Sequence, residues 1–452
     1  MEKVITEPPR NPFTDSATAS RATSIQINSC ASQRSEGPSS SGLRPLARRR
    51  LQSYRLKGEY EQPWKDDPRL YRTRCGNYII WGCIAVGIVL SGYINYSVTR
   101  KVPKQSYCLI LDDHFQTLDT NVWNHEVQVN GFGNGVFDWT TSDNQNSYVD
   151  AEGLHIVPTL TTETTKITSD QILDGFSLNL TKAHGDGSCT GTSNDECSVR
   201  SNHTLGTILP PVRSARLNTR GTKSIRYGRV EVTAKFPTGD WLWPAIWMMP
   251  VNDTYGSWPA SGEIDIAESR GNDVNYPLDG RDVISSSMHW GPTAQTDSFW
   301  RATRGKALRR TDFSQGFHIF GLQWSQDYLF TYVDSPLQQV LYWTFEKDRT
   351  MWEKGVFAGM TINSSLVRDP WSSHGRPNTP FDQPFYLVLN VAVGGRNGWF
   401  RDGVGNKPWT DSGNSALDFY EALPTWYPTW PNSSSRGMTV QSVRMWQEGA
   451  CP

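Results

Sequence analysis

The chain has 452 residues, 12% of them aromatic, and a formal net charge of -1. That charge is divided, because residues 1–105 carry 17 Lys and Arg against 8 Asp and Glu while the remainder carries 27 against 37. An acidic body with 17 tryptophans would repel a phosphate backbone, which argues against nucleic acid as a partner, and scarce leucine-rich periodicity argues against a helical fold.

Residues 1–77 mix Ser, Pro, Arg and Gly with little apolar periodicity and read as a disordered tail. Residues 78–96, YIIWGCIAVGIVLSGYINY, carry no formal charge. The run is near the lower length limit for a helix crossing hydrocarbon, and its terminal tyrosines suit both interfaces. Its distance from Met1 makes it a retained signal-anchor rather than a cleaved signal peptide. Ten Lys or Arg lie within residues 44–77, including Arg48, Arg49 and Arg50, against Arg100, Lys101 and Lys104 on the other flank. This bias puts the tail in the cytosol against anionic lipid, and everything from about residue 97 outside it. The expected form is a single-pass type II membrane protein of the secretory pathway or plasma membrane, with the lipid bilayer as one partner.

After a linker over residues 97–107, one folded domain is expected over residues 108–452. Short apolar segments separated by turn residues have strand character: LHIVP from Leu154, YGRVEVTAKF from Tyr227, HIFGLQW from His318, YLFTYV from Tyr328, FYLVLNVAV from Phe385 and TVQSVRMW from Thr439. They suit an all-β sandwich of two antiparallel sheets, one of which presents a polar and aromatic cleft. Cys189 and Cys197 enclose a short polar loop and are expected to pair, leaving Cys108 to join Cys451. Four cysteines allow three pairings, and buried free thiols are the alternative. Acceptor sequons at Asn179, Asn202, Asn252, Asn363 and Asn432 agree with a secretory-pathway domain and are expected on surface loops.

The chemistry concentrates in SGEIDIAESRGN, residues 261–272. On a strand, Glu263 and Asp265 project to one face, and Ile264 and Ile266 to the other. Glu268, five residues from Glu263, would fall on the wrong face unless a bulge near Ala267 returned it. Glycoside hydrolysis supplies a reason for such a bulge, since it needs two carboxyl groups flanking one bond, and a separation near 5 to 5.5 Å selects the retaining route. Glu263 would then be the nucleophile, Glu268 the acid/base, and Asp265 an assisting carboxylate whose charge helps keep Glu268 protonated. A solvated acidic edge or a cation site is the alternative, and no metal ligands can be chosen from the sequence.

Trp241, Trp243, Trp247, Trp258, Trp290 and Trp399 exceed what packing near this segment requires, and tryptophan offers a flat surface to sugar C–H bonds. The WLW and IW placements make at least two of them core residues. His289, in SSSMHWGP, is placed to contact the nucleophile or the substrate, with a structural role equally open. Asn146, Arg229 and Asn390 are further polar candidates for substrate contact.

NSYVDAEGLHIVPTL, YGRVEVTAKFPTGDWLWPAIWMMP, WPASGEIDIAESRGN, SSSMHWGP, FHIFGLQWSQDYLFTYVD, FDQPFYLVLNVAVGG and VQSVRMWQ, in this order, resemble the laminarinase-like part of glycoside hydrolase family 16 and the related β-glucan recognition proteins. The resemblance implies a β-jelly-roll with a glucan cleft, Glu263 as nucleophile, Asp265 as assisting carboxylate, Glu268 as acid/base, and Trp243, Trp247 and His289 in the cleft. The anchor resembles that of fungal proteins of β-glucan wall biogenesis, a looser likeness. The expected function is a retaining endo-β-glucanase acting on β-1,3-containing glucans. Transglycosylation and non-catalytic glucan binding or wall assembly are the alternatives. No cofactor is required by this chemistry, and the resemblance allows a structural Ca²⁺.

Overall fold

The computed structural model describes residues 57–99 and 105–451. Residues 1–56 of the expected tail, residues 100–104 of the linker and Pro452 lie outside the described residues. The chain divides into two units between Ser97 and Val98.

The first unit contains helix α1, Pro68–Thr99, of 32 residues. Pro68 suits a first turn that has no use for its missing N–H. The helix begins ten residues before the apolar run because nothing between Pro68 and Tyr78 breaks it, and each added residue gains a backbone bond. At 1.5 Å per residue it is about 48 Å long, more than a hydrocarbon core requires. Ile79, Trp81, Val86 and Val89 are 66–72% exposed. Among the described residues this is the one helix long and apolar enough to cross a membrane.

The second unit is a sandwich of two eight-stranded sheets. The outer sheet comprises β1 (Tyr107–Asp113), β3 (Ser147–Asp150), β4 (Gly153–Ile156), β7 (Gly228–Lys235), β12 (His318–Trp324), β13 (Tyr328–Val333), β14 (Gln339–Thr344) and β16 (Met438–Glu448). The inner sheet comprises β2 (Asn124–His125), β5 (Arg216–Asn218), β6 (Ser224–Ile225), β8 (Leu242–Pro250), β9 (Glu263–Ser269), β10 (Val283–His289), β11 (Thr303–Ala307) and β15 (Phe385–Val393). The outer order is β14-β13-β12-β7-β16-β4-β3, with β1 also on β16; the inner order is β11-β10-β9-β8-β15-β5-β2, with β6 on β15. Every pairing within these two sheets is antiparallel.

Alternation builds the core. Val230, Val232 and Ala234 of β7 and Leu242, Ile246 and Met248 of β8 are fully buried between the sheets, which leaves the odd residues of β8 on the inner sheet's open face. Pro244 lies inside β8 because pairing with β9 starts only at Ala245. A second apolar cluster around Val127, Trp139, Ile172 and Leu209 forms a small lobe beside the sandwich.

Disulfides join Cys108 to Cys451 and Cys189 to Cys197. The first ties β1 to the end of the chain, and the second closes a loop in the lobe. Asn252, Asn363 and Asn432 are exposed. Asn179 and Asn202 are half-buried, and their side chains accept hydrogen bonds from the backbone N–H groups of Thr181 and Leu205.

Candidate active site

β9 carries the acidic segment as an inner strand, flanked by β8 and β10. Its register against β8 slips between Ile246 and Trp247, so that Ala267 faces Ile246 while Asp265 faces Trp247. The extra residue is the bulge that the Glu263 to Glu268 spacing demands. Glu263, Asp265 and Glu268 consequently line one cleft, with about 490 Å³ of empty space, while Ile264, Ile266 and Ala267 are buried beneath it.

Each glutamate accepts one indole N–H: Trp258 Nε1 donates to Glu263 Oε2 at 2.9 Å, and Trp243 Nε1 donates to Glu268 Oε1 at 2.9 Å. Burial, and then the neighbouring charge of Asp265, raise Glu263 above the usual carboxylate range. Asp265 is raised too, by burial and then by Glu268. Glu268 is pushed up to about 7, chiefly by burial. Three acids so close cannot all ionise, and Glu263 and Asp265 titrate as a pair that shares a proton.

His289 moderates that repulsion. Its Nε2 lies 3.1 Å from Asp265 and 3.9 Å from Glu263, while Nδ1 lies 2.6 Å from Asp297, and its ring stacks on Phe299. Burial alone would lower its pKa, but Asp265, Glu263 and Asp297 together raise it well above the ordinary value. His289 thus has a carboxylate near each ring nitrogen, Asp297 hydrogen-bonded at Nδ1 and Asp265 within ion-pair distance of Nε2. Glu263, Asp265 and His289 also bring donor atoms within 4.8 Å of one another, a spacing that would admit a cation. Since both His289 nitrogens already face carboxylates, the set reads as a proton-sharing cluster.

Aromatic side chains extend the cleft. Trp243 stacks on half-buried Trp399 at 4.8 Å, and the Arg270 guanidinium lies over the Trp399 ring at 4.1 Å. On the other side of the acids, Trp247 Nε1 donates to Asn390 Oδ1 at 2.8 Å, and Arg216 packs between the rings of Trp247 and Phe132. Asp138, raised to about 7 by burial, lines the same cleft and accepts the Val393 N–H. Arg216, Phe132, Asp138, Asp297 and Arg270 were missed by sequence reasoning. Only Arg270, two residues past Glu268 on the same parity, carried a local signal.

Three expected substrate contacts lie elsewhere. Trp290 follows His289 on β10, so alternation turns it into the core, where Nε1 donates to Met351 O. Asn146 is fully buried and its amide donates to Val157 O and Thr159 Oγ1 rather than meeting solvent. Arg229 is on β7 in the outer sheet, paired with Glu231 and donating to Tyr332 Oη. Trp241 is likewise in the core, packed edge-on against Tyr276, Phe400 and Trp409. In the loop that carries Trp399, the buried Lys407 ammonium sits between Asp402 and Asp411.

Residues 158–376 match the model for glycosyl hydrolases family 16. The chain is 40% identical to a beta-1,3-glucan-binding protein of Penaeus monodon over 75% of this chain and 90% of that protein. It is 30% identical to glucan endo-1,3-beta-glucosidase A1 of Niallia circulans over 64% of this chain and 34% of that protein. A solved laminarinase from Rhodothermus marinus superposes with a TM-score of 0.45 at 24% identity, covering 77% of this chain and all of that one. By the extent and identity of the crustacean match, together with the family model, the chain belongs to glycosyl hydrolase family 16.

Proposed function

We propose that the domain is a retaining endo-β-glucanase acting on β-1,3-containing glucans. The observation that carries this reading is the β9 bulge, which sets Glu263 and Glu268 in one cleft, each held by its own indole N–H. Glu263 attacks the anomeric carbon once the proton it shares with Asp265 has moved to Asp265. Glu268, protonated up to about pH 7, gives its proton to the leaving oxygen. In the second half Glu268 takes a proton from water, which displaces Glu263 from the sugar. His289 offsets the negative charge of the pair throughout, and no cofactor enters these steps. Interception of the glycosyl-enzyme by a sugar hydroxyl would make the same site a transglycosylase.

One observation favours a second reading, glucan binding without turnover: the 40% identical crustacean relative is named a glucan-binding protein. A panel of defined laminari-oligosaccharides and mixed-linkage glucans separates the readings. New reducing ends indicate hydrolysis, and longer products indicate transfer. Tight binding with no product across pH 4–9 sinks the enzyme reading.

We further propose that α1 spans a membrane with the glucan domain outside the cytosol, as a type II protein. The length and apolar exposure of α1 and the basic residues before the apolar run support this. Such an anchored glucanase would suit cell-wall glucan biogenesis of the fungal kind. Glycan addition at Asn252, Asn363 and Asn432, the exposed sequons, would accompany that placement.

A further inference from the structure

Of the carboxylates around His289, the one at Nδ1 belongs to a residue outside the acidic strand. A turn delivers it. After His289, the last residue of β10, Trp290 enters the core and anchors its Nε1 on Met351 O. Gly291 lets the chain double back, since a Cβ there would meet Thr296 O at 2.6 Å. A 3-10 turn over Ala294–Thr296 follows, and the Ser298 N–H returns to Trp290 O at 2.9 Å. Asp297 is thereby set beside the His289 ring. Its Oδ2 lies 2.6 Å from Nδ1, and its Oδ1 accepts the Phe299 N–H at 3.2 Å. Phe299 in turn stacks on the imidazole at 4.9 Å. The ring is held at one edge and on one face, with Nε2 turned to Asp265.

The charges around this ring are unbalanced. Among the described residues, Glu263 and Asp265 from β9 and Asp297 from the turn each form their ion pair with His289. Glu268 is a fourth carboxyl that senses it. The arginines of the turn and of β11 are engaged elsewhere: Arg301 lies over the Trp300 ring at 4.1 Å, and Arg304 Nη1 donates to Thr303 O. Burial opposes charge on the imidazole, whereas the three carboxylates favour it. Two of the three form the pair that must itself lose a proton before Glu263 can attack. Asp297, its side chain 9% exposed, is the one that stands outside that pair.

We propose that Asp297 is a positioning residue for the nucleophile: it holds the His289 ring charged, with Nε2 toward Asp265, and so drives the first proton off the Glu263/Asp265 pair into solvent. The consequence for rate rests on the reading of the domain as a retaining glucanase. While both acids of the pair are protonated Glu263 cannot attack, and a charged imidazole 3.1 Å from Asp265 and 3.9 Å from Glu263 favours the ionised pair. Asp297 by itself has the opposite effect, because its negative charge repels the one that forms on the pair. The two contributions differ in sign, and the sign separates a residue that acts through His289 from one that only lies near it.

The test takes the full chain in detergent micelles, with laminarin as substrate. Asp297→Asn keeps an oxygen for the Phe299 N–H and for Nδ1 but removes the charge, and an unchanged thermal transition establishes that it is folded. If Asp297 acts through His289, the acid limb of kcat/KM moves to higher pH by about one unit, and activity below the limb falls about tenfold. His289→Gln should move the limb in the same direction, and the double variant no further than His289→Gln alone. A limb that stays in place or moves to lower pH, or a uniform fall in kcat at every pH, leaves Asp297 a turn residue and overturns the proposal. Nuclear magnetic resonance of isotope-labelled histidine gives a reading that needs no turnover. The His289 signal, identified by its loss in His289→Gln, should keep its charged-ring shift over roughly pH 5 to 8 in the parent and titrate within that window in Asp297→Asn. Identical titration in the two overturns the proposal whether or not the chain is an enzyme. A parent that turns over no glucan, with the charged ring lost only in Asp297→Asn, sinks the glucanase reading and leaves the hold of Asp297 on His289 standing.

Discussion

The outer and inner faces of the sandwich each hold a buried glutamate among aromatic rings with an arginine nearby, and the arginines point in different directions. On the outer face Glu231 receives the Tyr332 hydroxyl at 2.8 Å and Arg444 Nη2 at 2.7 Å, and it pairs also with Arg229. On the inner face Glu268 receives one indole N–H, while the Arg270 guanidinium, two residues along, donates instead to the carbonyls of Trp399 and Leu278. Glu231 thus has its negative charge matched by guanidiniums aimed at it. Glu268 has no guanidinium bonded to it, and burial, opposed by the nearby His289, pushes its pKa up to about 7. The same residue type is an ion-paired carboxylate on one face and a buried acid without a guanidinium partner on the other.

Removing the acids of the inner face should have the largest effect. Glu263→Gln and Glu268→Gln are each expected to lower kcat on a β-1,3-glucan by roughly 10³-fold or more while much of the binding survives. Glu231→Gln should leave kcat within about twofold, because Glu231 stands on the sheet facing away from the cleft. Reducing-end assays on the three variants in parallel read this contrast, and an equal loss in all three would dissolve it.

Stability should run the other way. Glu231→Gln strands two half-exposed guanidiniums and is expected to cost about 1–3 kcal/mol, softened by solvent, in urea unfolding at pH 7. Glu268→Gln is expected to stabilise. A carboxyl whose folded pKa is raised binds more protons folded than unfolded, so its contribution is present at low pH and lost as pH rises toward about 7. The amide carries no such penalty. The variant should therefore gain on the order of 1–3 kcal/mol over the parent at pH 8 and almost nothing at pH 4. A gain independent of pH would remove burial of the charge as its cause.

How much of this was legible in the sequence depended on whether the signal was local. Strands such as His318–Trp324, Tyr328–Val333 and Phe385–Val393 match their apolar segments residue for residue, because each is short, bounded by turn residues and buried on at least one face. The bulge was legible as well, since placing Glu268 beside Glu263 violates strand parity without it. Trp290 was misplaced because its aromatic type was weighed above its parity with His289. Arg229 has the right chemistry but belongs to β7, and only the strand order reveals that β7 is in the outer sheet. Arg216, Phe132 and Asp138 are more than 100 residues from the Asn390 beside which they line the cleft, a relation fixed by pairing of β5 with β15 that no short motif encodes. Asp297 meets His289 through a turn eight residues long that has no pattern of its own.

The smallest effect expected tests the aim of the inner arginine. Burial pushes Glu268 up most, His289 opposes it more strongly than any other charge, and Arg270 adds a smaller lowering although none of its N–H groups reaches the carboxylate. Arg270→Met removes that charge and should raise Glu268 further. The alkaline limb of kcat/KM, where the general acid loses its proton, should then move to higher pH by about half a unit to one unit. Arg270→Lys keeps a positive charge nearby but loses the planar stack on Trp399, and should leave the limb near that of the parent while weakening KM through a looser Trp399. A shift shared by both variants would mean that the stack, and not the charge, sets the proton affinity of Glu268. The two faces would then differ in how their rings are packed rather than in where their guanidiniums point.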